Sequence, residues 1–447
     1  MAELLNPRPN LGRLLGAGAA ALIVLLALGT ALVPWLLPRD NEAATRIAAG
    51  GIFAASYMAL AIGKVPGLSI DRAGVALVGA CLMVASGALP LEDAYRAVDL
   101  DTITLLLGMM IVVANLRLAG FFALATRWLM HWAHRPLLAL AAVTAISGVF
   151  SAFLVNDAIC LVLAPLVLEV MVGLRRNPVP YLLAVAMASN VGSVATITGN
   201  PQNIMIGSFS RIPYASFTAA LAPVALVGLV LTAGLIALAH RQEFRAGVRL
   251  EPKLPRVRVN RMLLARALAA TALMVGLFFA GQAPAKVAIV IGGLLLLTRR
   301  VRSSRVYAEI DWSLLLMFAG LFIIVAGAQH ALLTPRMIAR ISGAHLDQVP
   351  VLSAITAVLS NLLSNVPAVL VLKPFISVLA DQNLAWLTVA MASTLAGNFT
   401  VLGSVANLIV VEKAARRGVA IDFNAYFRIG APLTLITLAL GTFWLSR

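Results

Sequence analysis

The sequence predicts an all-α polytopic membrane protein with about 11 transmembrane helices plus two re-entrant hairpins, built as two inverted-topology repeats with broken helices. Three observations predict it. Apolar runs of about 20 residues, the length that crosses a bilayer, recur along the 447-residue chain. Basic residues punctuate these runs instead of gathering into one patch. Two stretches rich in polar residues, "SNVGSVATITGNPQNIMIG" (189–207) and "STLAGNFTVLGSVANLIVV" (393–411), interrupt apolar surroundings at matching places.

Composition narrows the class first. The chain is 61% hydrophobic and 12% charged, against roughly a quarter charged in soluble domains. Its net charge of +16 follows the loops, which is topology information and argues against nucleic acid as a partner. Cys81 and Cys160 both lie in apolar segments, so the chain has no disulfide framework and no CxxC metal spacing.

Residues 1–43 hold an N-terminal tail and a first transmembrane helix, 14–37. That run follows Arg8 and Arg13 but exceeds a signal-peptide core, so it reads as retained. Repeat 1 covers 44–240, with spans at 44–63, 73–89 and 102–119, a hairpin at 136–174, a broken helix at 181–207 and a span at 217–240. A basic cytoplasmic linker, 241–261, leads to repeat 2, 262–447. There the spans are 262–281, 284–298, 312–330 and 428–446, with a hairpin at 350–380 and a broken helix at 385–411. The second hairpin divides at Ser364-Asn365-Val366-Pro367 into arms of about 14 residues, too short to cross. For the first, two full crossings stay open on length alone.

With the N terminus cytoplasmic, 25 Lys/Arg fall inside and 8 outside, with Lys373 left within the second hairpin. This satisfies the positive-inside rule and places the C terminus outside. The expected location is a multi-pass position in a cell membrane, taken as a bacterial inner membrane.

The two halves align. "SAFLVNDAICLVLAP" (151–165) matches "SNLLSNVPAVLVLKP" (360–374) at seven of fifteen positions, pairing Asn156 with Asn365. Ser189, Thr196, Gly199 and Asn203 pair with Ser393, Thr400, Gly403 and Asn407, and Asp101 and Asp311 each open an apolar span. Five crossings separate the hairpins, so the halves are inverted. Inverted repeats with interrupted helices build a substrate and ion site where the breaks meet. Asn200-Pro201 reads as an N-cap with a first-turn proline that restarts the helix. The candidate substrate- and ion-binding residues are Ser151, Asn156, Asp157, Asn190, Ser193, Thr196, Thr198, Gly199, Asn200 and Asn203 in the first half. In the second they are Asn361, Ser364, Asn365, Thr394, Asn398, Thr400, Gly403, Ser404 and Asn407. For any single Gly, Ser or Thr, helix packing competes evenly with binding; the recurrence of Asn and Gln in both halves does not fit packing alone.

Asp157 is the sole acidic residue at a predicted midplane and needs a proton, a cation or a partner there. It is the candidate coupling residue, with helix capping as the plainer reading. Lys373 either snorkels to the outer interface or attracts an anion and balances Asp157. Glu169 and His330 lie toward membrane interfaces. No site for a resident metal is read, with room only for Na⁺ near Asn156, Asp157 and Asn365.

At these motifs the chain resembles the ArsB/NhaD permease branch of the ion-transporter superfamily, which is related to the dicarboxylate/sodium symporters. "NDAICLVLAPLVLEV" and "SVATITGNPQNIMIG" are similar to its hairpin and broken-helix signatures. With "NLLSNVPAVLVLKP" and "GSVANLIVVEKAARRGVAIDF", the chain is most similar to the anion permease YbiR subgroup, over about residues 44–446. The resemblance implies eleven spans with two hairpins, a scaffold part and a moving part, and elevator-like alternating access. It carries the site to the hairpin tips, Asn156-Asp157 and Ser364-Asn365, and to the breaks at 189–203 and 394–407. The dicarboxylate relatives carry Ser-Asn-Thr at both tips. Here Val155-Asn156-Asp157 and Ser364-Asn365-Val366 stand instead, which argues against dicarboxylate binding and paired sodium sites.

The expected function is a secondary active transporter moving a small anion or oxyacid, coupled to H⁺ or Na⁺ by alternating access. The alternatives are a Na⁺/H⁺ antiporter or an arsenite efflux permease, the latter binding neutral As(OH)₃ through hydrogen bonds because no thiol cluster is present. The lipid bilayer and a small inorganic or organic anion are the expected partners, no cofactor is expected beyond a coupling H⁺ or Na⁺, and a homodimer is left open. No GxxxxGK[ST], HExxH or GxSxG-with-His pattern occurs, so the chain reads as neither an ATPase nor an intramembrane enzyme.

Overall fold

The computed structural model describes residues 11–36, 42–62, 70–132, 135–245, 259–297, 301–332 and 345–447. The far N-terminal tail and the middle of the basic linker, 246–258, lie outside the described residues. Those described form helices, turns and irregular segments, with no strand among them. Among the described residues, eight helices are long and apolar enough to cross a membrane. Two of these are the arms of the first hairpin, Pro136–Leu154 and Asn156–Gly173. The other six join three shorter apolar helices (Ile23–Leu36, Arg72–Ala85 and Pro284–Leu296) and the two broken helices. Together these are the eleven elements that the spacing of apolar runs predicts.

Local chemistry sets the ends of these helices. Asp71, Asn260 and Asp381 accept the backbone N–H of the third residue beyond them, at 2.8, 3.2 and 2.9 Å, which satisfies a donor the helix leaves orphaned. Asp311 caps Trp312–Leu332 in the same way, through Leu314 N at 3.0 Å. In the first half the capping carboxylate is Asp99 and not Asp101: Asp99 accepts from Asp101 N, Thr102 N and Thr102 Oγ1. Two acids stand close together there, and the one lying just outside Leu100–Ala119 takes the cap. Among the described residues, four short helices escape the hydropathy pattern: Leu91–Ala97, the amphipathic Phe121–Trp132, Arg241–Arg245 and Ser303–Tyr307. Each is too short for a span. Arg241–Arg245 is tied to the end of the first hairpin by Arg176 Nε, 2.8 Å from Glu243 Oε1.

By compactness the chain divides into two units, each drawing on both sequence halves. One comprises Met1–Ile103 with Asp311–Ala344, and the other Thr104–Ile310 with His345–Arg447. In the first unit, helices Arg72–Ala85 and Trp312–Leu332 pack so closely that a Cβ on Gly320 would meet the backbone of Ala76 at 2.6 Å. The second unit holds both hairpins and both broken helices. There Pro136–Leu154 packs most extensively on Val179–Ser193, with the backbones of Gly148 and Gly192 in direct apposition and no room for a Cβ on Gly192.

Candidate functional site

The two broken helices are the same device built twice. The first runs Val179–Ser193, unwinds through a 3-10 turn at Ile197–Gly199, and restarts as Pro201–Ser210. The second runs Gln382–Ala396, turns at Val401–Gly403 and restarts as Val405–Ala415. Unwinding frees backbone groups, and buried carbonyls need donors. Asn203 Nδ2 supplies Ser193 O and Thr196 O, at 3.1 and 3.0 Å. Asn407 Nδ2 supplies Gly397 O and Thr400 O, at 2.7 and 3.2 Å. Each amide spans the same two offsets, ten and seven residues. The restarts are capped by Asn200 Oδ1 on Asn203 N (2.8 Å) and by Ser404 Oγ on Ala406 N (3.3 Å). Gly199 and Gly403 lie against the carbonyls of Ser193 and Gly397, where a side chain would collide.

Between the halves the bonds are reciprocal. Asn190 Nδ2 donates to Asn407 Oδ1 (3.0 Å), and its counterpart Thr394 Oγ1 donates to Asn203 Oδ1 (3.4 Å). Ser404 Oγ donates to Asn190 Oδ1 (3.0 Å), and its counterpart Asn200 Nδ2 donates to Thr394 Oγ1 (3.1 Å). Contacts that exchange in this way are the mark of a two-fold relation. Asn190 is the hub: it also donates to Asn398 Oδ1 (2.9 Å) and accepts from Asn156 Nδ2 (3.0 Å). Asn398 in turn donates to Met187 O at 3.1 Å. Asn190, Ser193, Asn200, Asn203, Thr394, Asn398, Ser404 and Asn407 are all buried, and every member of the network is neutral.

Each hairpin tip bends at a non-glycine residue with positive φ. Val155 has φ 64° and Ser364 φ 80°, and these are counterparts in the hairpin alignment. Such geometry costs of order 1–3 kcal/mol and persists where the surroundings hold it. In the first half the break therefore falls at Val155, the first residue of the Val155-Asn156-Asp157 tip, as it falls at Ser364, the first of Ser364-Asn365-Val366. Asn156 and Asp157 already belong to the second arm, Asn156–Gly173. The tips dock on the unwound segments. Thr196 Oγ1 donates to Ala152 O, Asn361 Nδ2 to Ala396 O (3.1 Å) and Ser360 Oγ to Ser393 O (3.0 Å). With its amide turned to satisfy both ends, Asn365 donates to Ser393 O and Gly403 O, at 3.2 and 3.3 Å, and accepts from Gln202 Nε2 at 3.1 Å.

Several sequence-predicted residues stand at the margin of this network. Asp157 is half-buried in the first turn of its arm. Lys373 is exposed, with Nζ 3.9 Å from the centroid of the Phe209 ring. Thr198 turns toward Tyr214, Oγ1 to Oη 2.8 Å, and Thr400 takes part through its carbonyl. Ser151 Oγ and the Oδ1 atoms of Asn156 and Asn361 are buried with no hydrogen-bond partner among the described residues. Two residues of the network, Gln202 and Ser360, are missing from the sequence-derived set. Ser360 was available as the aligned counterpart of Ser151. Gln202 gave only its polarity inside an apolar run, because its bonds to Thr394 (3.2 Å) and Asn365 cross between the halves.

The apolar spans and the family that the chain matches define a multi-pass membrane transporter of the permease type, and not an enzyme. The chain belongs to the citrate transporter family, whose profile matches residues 57–396. It is 31% identical over 338 residues to the inner membrane protein YbiR of Escherichia coli (strain K12), covering 74% of this chain and 84% of that one. It is 28% identical over 462 residues to the silicon efflux transporter LSI3 of Oryza sativa subsp. japonica, covering 87% and 95%. In three dimensions it is similar to the YdaH transporter of Alcanivorax borkumensis, whose crystal structure is described as having an unusual topology. The TM-score is 0.53 at 14% identity, over 96% of this chain and 97% of that one. Membership in the branch that the hairpin and broken-helix motifs resemble is thereby shown.

Proposed function

We propose that this permease is a secondary active transporter that moves a small oxyanion or neutral oxyacid by alternating access, coupled to H⁺ or Na⁺, with both hairpins re-entrant from opposite faces. The observation that carries this reading is the neutral amide and hydroxyl network joining the two unwound segments at reciprocal positions. Neutral donors and acceptors suit a cargo made of hydroxyl and oxo groups. A cargo of several negative charges would need cations beside it, and the network supplies none. The silicon efflux relative handles an element whose soluble acid is uncharged at neutral pH, and this favours the neutral oxyacid. In this reading Asn203, Asn407 and Asn190 hold the breaks in shape, since their amides are committed to protein partners. The unpartnered acceptors, Ser151 Oγ and Asn156 Oδ1, face the cargo or a coupling cation, with Asp157 as the group that couples. The N terminus lies in the cytoplasm of a bacterial cell and the C terminus outside.

The test is flux into proteoliposomes holding the purified protein. Silicic acid, arsenous acid, sulfate, phosphate and citrate are offered in turn, with and without imposed pH or Na⁺ gradients. Saturable, gradient-driven flux of an oxyacid or oxyanion is the expected result. Gradient-driven exchange of Na⁺ for H⁺ with no oxyacid flux would replace this reading with an antiporter.

A further inference from the structure

The two hairpin tips are docked by different means, and one buried side chain makes the difference. At the first tip, Asn156 Nδ2 donates directly to Asn190 Oδ1 at 3.0 Å, within its own half. The counterparts of this pair are Asn365 and Thr394. Asn365 bonds to Ser393 O, Gly403 O, Ser360 and Gln202, and Thr394 is not among these partners. Gln202 joins the two instead. Its Nε2 donates to Thr394 Oγ1 at 3.2 Å and to Asn365 Oδ1 at 3.1 Å, which uses both N–H groups of the amide. Gln202 is 3% exposed, and its own counterpart is Ala406, which has no polar atom to offer. Asn190 with Ala406 in one place and Thr394 with Gln202 in the other thus exchange a long polar side chain for a short one.

The packing around the tips gives this bond its weight. Val405–Ala415 packs extensively on the second arm of the first hairpin, Asn156–Gly173. The mirrored contact, Pro201–Ser210 on Asn365–Ile376, is much smaller. Gln202 and Phe209 lie at i and i+7 of Pro201–Ser210, on one helix face, and serve that contact at two points. Gln202 holds Asn365, and the Phe209 ring lies 3.9 Å from Lys373 Nζ. A segment with few packed contacts opens locally unless specific bonds hold it. The backbone at Ser364, directly before Asn365, has φ 80°, a strained conformation that persists only where the surroundings fix it.

We propose that Gln202 is the positioning residue of the second hairpin, holding its tip on the broken helices in place of the amide that Asn190 supplies at the first tip. The anchor of the second tip therefore comes from the opposite half, where that of the first comes from its own. Without Gln202 the second tip opens more often and a bound cargo escapes sooner. That effect on the cargo rests on the transport reading above; the docking of the tip does not.

Amide hydrogen exchange of the full chain in nanodiscs reads the tips directly, because local opening sets the exchange rate. Gln202→Ala is expected to speed exchange over residues 360–367 several-fold and to leave 151–158 at the wild-type rate. Gln202→Met keeps the bulk without an N–H to give, should act alike, and serves in place of an alanine variant that does not fold. Gln202→Ala/Thr394→Asn copies the first half and should restore slow exchange at the second tip. Unchanged exchange over 360–367 in the single variants, or equal acceleration at both tips, overturns the positioning role. A double variant as fast as Gln202→Ala overturns the equivalence with Asn190. The cargo effect is read separately in proteoliposomes offered silicic acid, arsenous acid, sulfate, phosphate and citrate in turn. The half-saturating concentration should rise several-fold in Gln202→Ala with the maximal rate per folded protein retained, and fall back in the double variant. An unchanged half-saturating concentration beside a loosened tip overturns the cargo effect. A wild type that carries no tested cargo would instead count against the transport reading, with the exchange result still standing.

Discussion

The unwound segments of the two broken helices do the same work with different side chains. Asn203 and Asn407 are interchangeable in role, each holding two freed carbonyls at the same offsets. Their surroundings diverge. Asn190 gathers four partners around an amide, whereas its counterpart Thr394 offers one hydroxyl to Asn200, Gln202 and Asn203. Asn398 and Gln202 have the apolar counterparts Ala406 and Val194 reversed between the halves: Val194 stands opposite Asn398, and Ala406 opposite Gln202. The lesson is that the scaffold of each break is constrained by its own backbone, while the cross-half contacts are free to specialise.

The hub carries the largest expected effect. Asn190→Leu removes four bonds between helices, at about 0.6–1.7 kcal/mol apiece, so the loss should approach ~3 kcal/mol with uptake abolished. Asn190→Thr, which copies the opposite half, should recover part of the stability. Thermal unfolding in detergent and proteoliposome uptake measure both; a Leu variant as stable and active as wild type would remove Asn190 from the site. Next comes Asp157→Asn, which keeps the shape of the side chain and removes its titratable charge. Gradient-driven accumulation should fall roughly tenfold or more if this intramembrane carboxylate couples the flux, with the unfolding temperature nearly unchanged. Full accumulation would leave Asp157 as a helix cap.

A smaller effect tests the equivalence directly. Asn203→Ala and Asn407→Ala each remove an amide that donates to two carbonyls at the same offsets, while Thr196 O and Thr400 O each keep a backbone donor, so each should cost about 1–3 kcal/mol and the two should agree within that range. If one variant is silent and the other unfolds the protein, the two breaks are not held alike. The smallest effect lies at the tips. Ser364→Gly relieves a positive φ at a partly exposed side chain and should stabilise by about 0.5–1 kcal/mol. Val155→Gly relieves the same strain but removes a side chain only 4% exposed. Burying a valine is worth about 1.5–3 kcal/mol, so that variant should be neutral or destabilised. Thermal unfolding of the pair, side by side, decides it, and equal gains in both would show that Val155 packs against nothing of value.

Much of this was legible in the residues. Hydropathy located the spans, the Asn-Pro step located the restart at Pro201, and self-alignment paired Asn203 with Asn407 before any geometry was known. What escaped was tertiary. The sequence could not say that Asn190 would reach across to Asn407 and Asn398, nor that Gln202 would meet Asn365, because those pairs are joined only once the halves fold against each other. Short helices such as Phe121–Trp132 escaped for another reason: they are too brief to register beside spans of 20 residues. Within the Val155-Asn156-Asp157 tip, no pattern rule would choose Val155 as the residue that bends, because a β-branched residue rarely takes positive φ.

The apposition of Gly148 and Gly192 has a mechanical consequence. With no side chain between the two backbones, the first arm of the hairpin cannot slide along Val179–Ser193 without driving carbonyl into Cα. At this crossing no side chain stands between the backbones to give way by changing rotamer. The two helices are expected to behave as one stiff plate, so spin labels placed one on each should keep a constant separation with and without cargo, and a changed separation would show that they slide.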